Sequence, residues 1–481
     1  MTASWLNRWA TYNRYYDYPH GYAVNFPADM EVDCSLSAVK TVMFNPSTRL
    51  EIYHDDFNGT VHYAAAYTKC SRDFLKNKKD HTVTLDKKLK VKGLTVNLLQ
   101  WQRSKLFSLP GDKNYYLSAE IIKNSREVYT LIIKSSAPLG DWMPVINSFE
   151  FMPKNGIAAN TAWYAPPGRS WPPETAQFYD KYFGPSSALR WGIFEPTAGE
   201  SMGYLEELEK SLDHHFDFLL WYQGLYSAFP RQLADRAYER GKYLELTLHS
   251  WVPDADNSSV IYDLLNGKYD GYYESYAREV KSFGHPILLR WNNEMNGDWC
   301  AWSAYYYSKD PELFKAAWRH VYGIFQREGA DNALWVWNPN EMSFPGFKWN
   351  HCLNYFPGSA YVDIIGLTGY NTGNYYRGET WRAFGAIYGP LYTDYNKYFN
   401  YPFMITEFGS NLVGGDKAAW IKDMFTQIKY YKKIKAAIWF NGIDCDAQGR
   451  AARTYRLTRE EDIQAFAEGL QGLRITPDGH R

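Results

Sequence analysis

Glu294 and Glu407 are the residues of this chain best placed, by type and by setting, to do chemistry. Glu294 stands in HPILLRWNNEMNGDWCAW, residues 285–302. There the apolar run Ile287 to Leu289 follows a Gly-His-Pro turn and reads as a buried strand, because no helical period continues through it. Polar groups begin where that strand ends: Arg290, Asn292, Asn293 and Glu294 crowd beside Trp291, Trp299 and Trp302. This mixture suits a sugar, whose apolar ring face stacks on indole and whose hydroxyl rim bonds to amides and carboxylates. Glu407 ends a second short apolar run, YPFMITEFGS, introduced by Pro and closed by Gly. Glycoside hydrolysis needs two such carboxyls, one to protonate the leaving oxygen and one to attack or to activate water.

Two strand-end glutamates far apart in sequence meet only if both strands open onto one face, which is where a (β/α)8 barrel places its active site. From about Ala158 the chain alternates short strands with amphipathic helices, the pattern of a parallel sheet with helical crossovers. The predicted strands are LRWGIF (189–194), DFLLWY (217–222), YLELTL (243–248), ILLR (287–290), LWVW (334–337), IIGL (364–367), FMIT (403–406) and AIWF (437–440). Between them GYLEELEKSL, RQLADRAYER, GYYESYAREVKSF, PELFKAAWRHVYGIFQREG and KAAWIKDMFTQIKYYKK keep apolar positions near a 3.6-residue period, and a helix near REEDIQAFAEGL closes the ring. The fold class is therefore α/β: a (β/α)8 TIM barrel over 158–481.

Residues 1–153 read differently. Alternating segments such as TVTLDKKLKVKGLTVNLLQWQ, YYLSAEII and EVYTLIIKSS, joined by Lys, Asn and Gly turns, predict an N-terminal β-rich accessory domain, all-β or α+β, with MPVINSFEFMP as a helical turn and strand. The turn-rich PKNGIAAN marks the boundary. Trp101 and the cluster Trp5, Trp9, Tyr12, Tyr15 and Tyr16 suit either glycan binding or packing, and packing is the favoured reading.

A formal net charge of -1 with no basic stripe excludes a nucleic-acid partner, and no apolar run is long enough to span a membrane. An aromatic content of 18% points instead to sugar-binding clefts, since cores seldom need so many rings with a polar edge. Cys34, Cys70, Cys300, Cys352 and Cys445 show no metal-ligand spacing, so no metal or cofactor is expected; a Cys34–Cys70 bond and free buried thiols both fit. The polymer substrate implied below places the protein outside the cell or at its surface, although the N-terminus lacks the apolar core of a secretory signal. It is expected to act as a monomer.

On KYDGYYESYAREVKSFGHPILLR running into EMNGDW, on VDIIGLTGYN, on PFMITEFG and on IWFN, the chain from about 158 onward resembles the clan A retaining glycoside hydrolases, and among them glycoside hydrolase family 26, which includes β-mannanases and mixed-linkage β-glucanases. The resemblance implies Glu294 as general acid/base and Glu407 as nucleophile. It implies Tyr370 as donor to the nucleophile and Trp439 as the eighth-strand indole beneath the reacting sugar. The family usually has His directly before the acid/base; Asn293 stands here, the residue other clan A families use to hold the substrate 2-hydroxyl.

Glu294 must keep its proton near neutral pH, which Trp291 and Trp299 are expected to support by desolvation. His249 reads equally as a subsite histidine and as a rim histidine bonded to Glu294 or to backbone. Glu245 and Arg290 are expected as an ion pair inside the barrel. Trp251, Trp299, Trp302 and Trp337 are candidate subsite platforms, Trp299 foremost, while Asn296 and Asp298 shape the loop after the acid/base. The function this predicts is a retaining endo-β-glycanase acting on β-mannan, glucomannan or mixed-linkage β-glucan. The alternatives are a hydrolase of a bacterial exopolysaccharide and a non-catalytic glycan-binding protein on a hydrolase scaffold.

Overall fold

The computed structural model describes residues 12–446 and 448–475. Trp5 and Trp9 lie outside the described residues. Eight parallel strands close into a barrel in chain order: β1 (Arg190–Phe194), β2 (Phe218–Gln223), β3 (Tyr243–Leu248), β4 (Ile287–Trp291), β5 (Ala333–Trp337), β6 (Ile364–Thr368), β7 (Phe403–Phe408) and β8 (Ile434–Phe440), with β8 pairing back to β1. All eight predicted strands are present, and the predicted helices occupy the crossovers.

The period of two along each strand sorts side chains into two cores. Phe218, Leu220, Leu288, Leu334, Val336, Ile364, Met404, Ala436 and Ile438 point inward and fill the barrel, whose lower end is plugged by Phe178, Tyr182 and Phe183 of the helix Pro173–Phe183. The intervening residues, among them Leu289, Trp291, Trp337, Ile405 and Trp439, point outward under the surrounding helices. Strand β7 departs from this alternation. Its pairing with both neighbours slips by one residue between Ile405 and Phe408, a bulge that turns Thr406 and Glu407 inward together while Phe408 stays under the helices.

The N-terminal part forms a seven-stranded antiparallel sheet, in the spatial order 31–33, 41–44, 48–56, 127–135, 115–124, 94–103, 81–91, and a small three-stranded sheet of 12–17, 22–27 and 150–151. One face of the large sheet packs on a core of its own with the helix Met143–Ser148. The other lies on the barrel and holds the segment after β4. Trp101 donates to the Ser308 hydroxyl at 3.1 Å, the Tyr116 hydroxyl to Asp310 at 2.9 Å, and Lys134 to Asp310 at 2.7 Å. Trp101 is 1% exposed and stacks on Tyr116, so it packs and offers no glycan platform. Asp310 in turn caps the helix Pro311–Glu328 by accepting from the Glu312 amide. All five cysteines are free, Cys34 and Cys70 included.

Candidate active site

Glu294 sits just past β4 on a backbone with two left-handed non-glycine residues, Asn292 at φ 46° and Glu294 itself at φ 52°. Such a conformation costs of order 1–3 kcal/mol per residue and persists only where neighbours over-determine it. Here the Asn292 side chain bridges to Ser250, accepting from its amide at 2.7 Å and donating to its hydroxyl at 3.0 Å, while the Glu294 amide donates to the Asn338 carbonyl at 2.7 Å. The result aims the Glu294 carboxyl into the barrel mouth, where Asn340 donates to Oε1 at 2.5 Å and the Trp299 indole to Oε2 at 3.2 Å. Asn296 ties this loop to the next: it exchanges hydrogen bonds with the Asn340 backbone and donates to Ser343.

The bulge in β7 brings Glu407 to the same mouth. Its Oε2 accepts from the Tyr222 hydroxyl at the end of β2 and from the Arg290 guanidinium at 2.9 Å. Arg290 is fully buried, bonded to Thr247 and Asn338, and 2.9 Å from Glu245. Burial pushes the Glu245 carboxyl up to about 8 against the opposing pull of Arg290, and the two form the expected pair inside the barrel. Burial, reinforced by the negative charge of Glu407, pushes Glu294 up to about 7. The two carboxyls of the cleft have different surroundings: one is desolvated toward its acid form, and the other is paired with a cation and a phenol. This is the division an acid and a nucleophile require.

Two cavities meet at these residues. One, of about 580 Å³, is lined by His249, Trp251, Asn293 and Trp302; the other, of about 1200 Å³, by Phe194, Tyr370, Phe440 and the loop after β8. Tyr222, Glu294, Trp299 and Glu407 line both, so the acids stand at the waist of a cleft open on either side.

Asn293 lies in the smaller lobe, where its side-chain oxygen is 2.6 Å from His249 Nε2. Burial lowers His249 to about 4, so its ring is neutral; with Nε2 as donor it turns the Asn293 amide group toward the cleft. His249 therefore bonds neither Glu294 nor backbone through Nε2. Trp302 donates to the Asn293 carbonyl at 2.7 Å and lies 4.8 Å from the His249 ring. Trp299 and Trp251 are 52% and 45% exposed on the cleft wall, open to stacking.

Four expectations are corrected. Trp439 does not lie beneath a sugar: the alternation along β8 sends it outward, fully buried against Phe408, Trp420 and Phe466, and the inward-facing neighbour Phe440 lines the cleft in its place. Trp291 and Trp337 are likewise outward and fully buried, so Trp291 does not desolvate Glu294 and Trp337 offers no platform. Tyr370 lines the larger lobe against Tyr455, but the phenol that donates to Glu407 is Tyr222. Tyr222, Phe440 and Asn340 escaped the sequence reading. Counting inward from Leu220 and Ile438 by twos would have found Tyr222 and Phe440, whereas Asn340, beyond β5, follows no period.

Among the described residues, one trio has metal-ligand geometry: His54, Asp56 and Glu127 on the N-terminal sheet. Lys154 and Lys123 bond the Glu127 carboxylate at 2.7 and 2.9 Å, so ammonium groups already occupy the place of a cation. Among the described residues, no helix is long and apolar enough to cross a membrane.

The fold and cleft can be set beside known proteins. Residues 220–436 match the family model for glycosyl hydrolase family 26. Endoglucanase H of Acetivibrio thermocellus is 33% identical over 256 residues, 52% of this chain and 27% of that protein. A mannan endo-1,4-beta-mannosidase of Bacillus subtilis is 28% identical over 227 residues, 46% of this chain and 57% of that protein. The alignments thus span less than two thirds of either relative. The structure of a GH26 beta-mannanase from Bacteroides ovatus superposes with a TM-score of 0.48 at 16% identity, covering 64% of this chain and 99% of that one.

Proposed function

We propose that this chain, whose barrel is built around two strand-end glutamates and matches the family model for glycosyl hydrolase family 26 over residues 220–436, is a retaining endo-β-glycanase. The observation that carries the reading is a desolvated Glu294 and a Glu407 paired with Arg290 and Tyr222 at the waist of one open cleft. Glu407 attacks the anomeric carbon while Glu294 gives its proton to the leaving oxygen, forming a glycosyl-enzyme ester and a free chain end. Glu294, now a carboxylate, takes a proton from water, whose oxygen displaces Glu407 and restores both groups. The Asn293 amide, turned by His249, is placed to hold the 2-hydroxyl of the sugar on Glu407. The substrate class is β-mannan, glucomannan or mixed-linkage β-glucan, in keeping with the mannan-cleaving and endoglucanase names of the relatives. A polymer of that size places the enzyme outside the cell.

The test is release of soluble oligosaccharides from glucomannan, galactomannan, lichenan, barley β-glucan, xylan and bacterial exopolysaccharides. A mixture of internal fragments from one of the first four, with the β-anomer as first product, is the expected result. Binding without turnover would return the chain to the non-catalytic reading.

The acid role of Glu294 has its own pH signature. A general acid must be protonated, so kcat/KM is expected to fall as pH rises through about 7, where Glu294 titrates. The Trp299 indole lowers that value by donating to the carboxylate form. In Trp299→Phe the alkaline limb is therefore expected to move to higher pH, by up to about one unit for the loss of one hydrogen bond to a charged group. A limb that stays in place or moves down would remove Glu294 from the acid role.

A further inference from the structure

The larger lobe of the cleft contains three arginines, and they are not alike. Arg382 is paired with Glu341, and Arg453 with Glu379 and Asp444. Arg290 below them is committed to Glu407. Arg456 lines the same lobe with no carboxylate partner among the described residues, and its Nε is buried without an acceptor. The Nε is shut off from the cleft, so what the lobe offers a ligand is the unpaired charge and the terminal amino groups of the guanidinium.

The backbone carrying Arg456 is also fixed from several sides. The Tyr455 amide donates to the Gly442 carbonyl at 3.0 Å, and the Leu457 amide to the Asn441 side chain at 2.7 Å. The Tyr455 carbonyl accepts from the Trp439 indole at 3.1 Å and from Lys417 at 2.9 Å, and the Arg456 carbonyl from Lys417 at 2.7 Å. These five hydrogen bonds leave the backbone little freedom at this point, so the Arg456 side chain rises from a fixed base. Beside it the same lobe has an aromatic lining, Phe194, Tyr370 and Phe440, able to take the apolar face of a sugar ring. A sugar stacked there would present its substituents to Arg456. A planar guanidinium matches a carboxylate with two parallel hydrogen bonds, whereas a neutral hydroxyl uses one donor and none of the charge.

We propose that Arg456 is a specificity residue for a carboxylate on the glycan, so that the preferred substrate is a β-glycan bearing acidic residues such as uronic acids. The claim rests on the glycanase reading above for its cleft and refines the substrate class.

The test compares glucomannan and lichenan with the same polymers oxidised at C6 to uronates, using wild type, Arg456→Gln and Arg456→Lys. The kcat/KM ratio of oxidised to parent polymer is expected to exceed one in wild type, to fall at least tenfold in Arg456→Gln, and to recover in part in Arg456→Lys. Raising salt should shrink the wild-type ratio and leave that of Arg456→Gln flat. A ratio that is equal in wild type and Arg456→Gln overturns the proposal while leaving the glycanase reading intact. If no polymer is cleaved, the glycanase reading fails, and affinity electrophoresis in gels containing each polymer decides the rest. Retardation by the oxidised polymer that Arg456→Gln abolishes supports the carboxylate site; equal retardation of the two proteins overturns it.

Discussion

Glu407→Gln is expected to lower kcat on the preferred polymer by roughly 10⁴-fold, the scale seen when a nucleophile that works as part of a unit is removed. The change is nearly isosteric, and the amide can still accept from Tyr222 and Arg290, so binding should survive. KM or the binding constant for oligosaccharide should move by less than tenfold. A second effect follows from the sign of the electrostatics. The negative charge of Glu407 helps to hold Glu294 up to about 7, so its removal should lower the Glu294 pKa. Residual activity would then lose its acid at lower pH. Isotope-edited infrared titration of the Glu294 carboxyl, in wild type and variant, reads this directly. Full turnover by Glu407→Gln, or a Glu294 pKa that rises, would take Glu407 out of the centre of the reaction.

Lys134→Met is expected to have the largest effect on stability. Lys134 is 1% exposed, 2.7 Å from Asp310 and 2.8 Å from Glu51. Removing one member of a buried ion pair strands its partner's charge away from water, and the usual loss is about 3–5 kcal/mol. Glu51 keeps Arg49 at 2.7 Å and Lys40 at 3.3 Å, but Asp310 keeps only the Tyr116 hydroxyl and its role as helix cap. The loss should therefore appear mainly at Asp310, and Asp310→Asn in the Lys134→Met background should recover part of it. Denaturant midpoints of the three proteins test this. A Lys134→Met midpoint unchanged from wild type would show that Asp310 and Glu51 are satisfied by their remaining partners.

Much of the barrel was legible because each strand is a short apolar run bounded by turn residues, a local signal. The strand-end glutamates were legible for the same reason, since Glu294 and Glu407 each sit where a run stops. Which face a residue takes depends on counting from the right neighbour. Trp439 was given to the cleft by resemblance, yet Ala436 and Ile438 fill the barrel, which assigns Phe440 to the cleft. The β7 bulge breaks that count, so strict alternation from Met404 puts Glu407 on the wrong side, and only pairing with β6 and β8 reveals the slip. The helix Phe384–Tyr398 went unread because its aromatic residues and internal Pro390 give no clean 3.6-residue stripe. Contacts such as Trp101 to Ser308 join a strand of the N-terminal sheet to the segment after β4, far away in sequence, and neither composition nor period reports them.

The seating of the N-terminal sheet on the segment after β4 bears on how such a chain can diversify. Ser308, Lys309 and Asp310 each find a partner on the sheet, and the same connection begins with Glu294 and Trp299. Exchange of the sheet between relatives by recombination would separate half of this network from the other half and loosen the stretch that aims the acid. The two parts are therefore expected to be inherited together. Drift at Asp310 would be tolerated only alongside matching change at Lys134 or Tyr116, and junctions that preserve activity would fall outside the sheet and barrel, not between them.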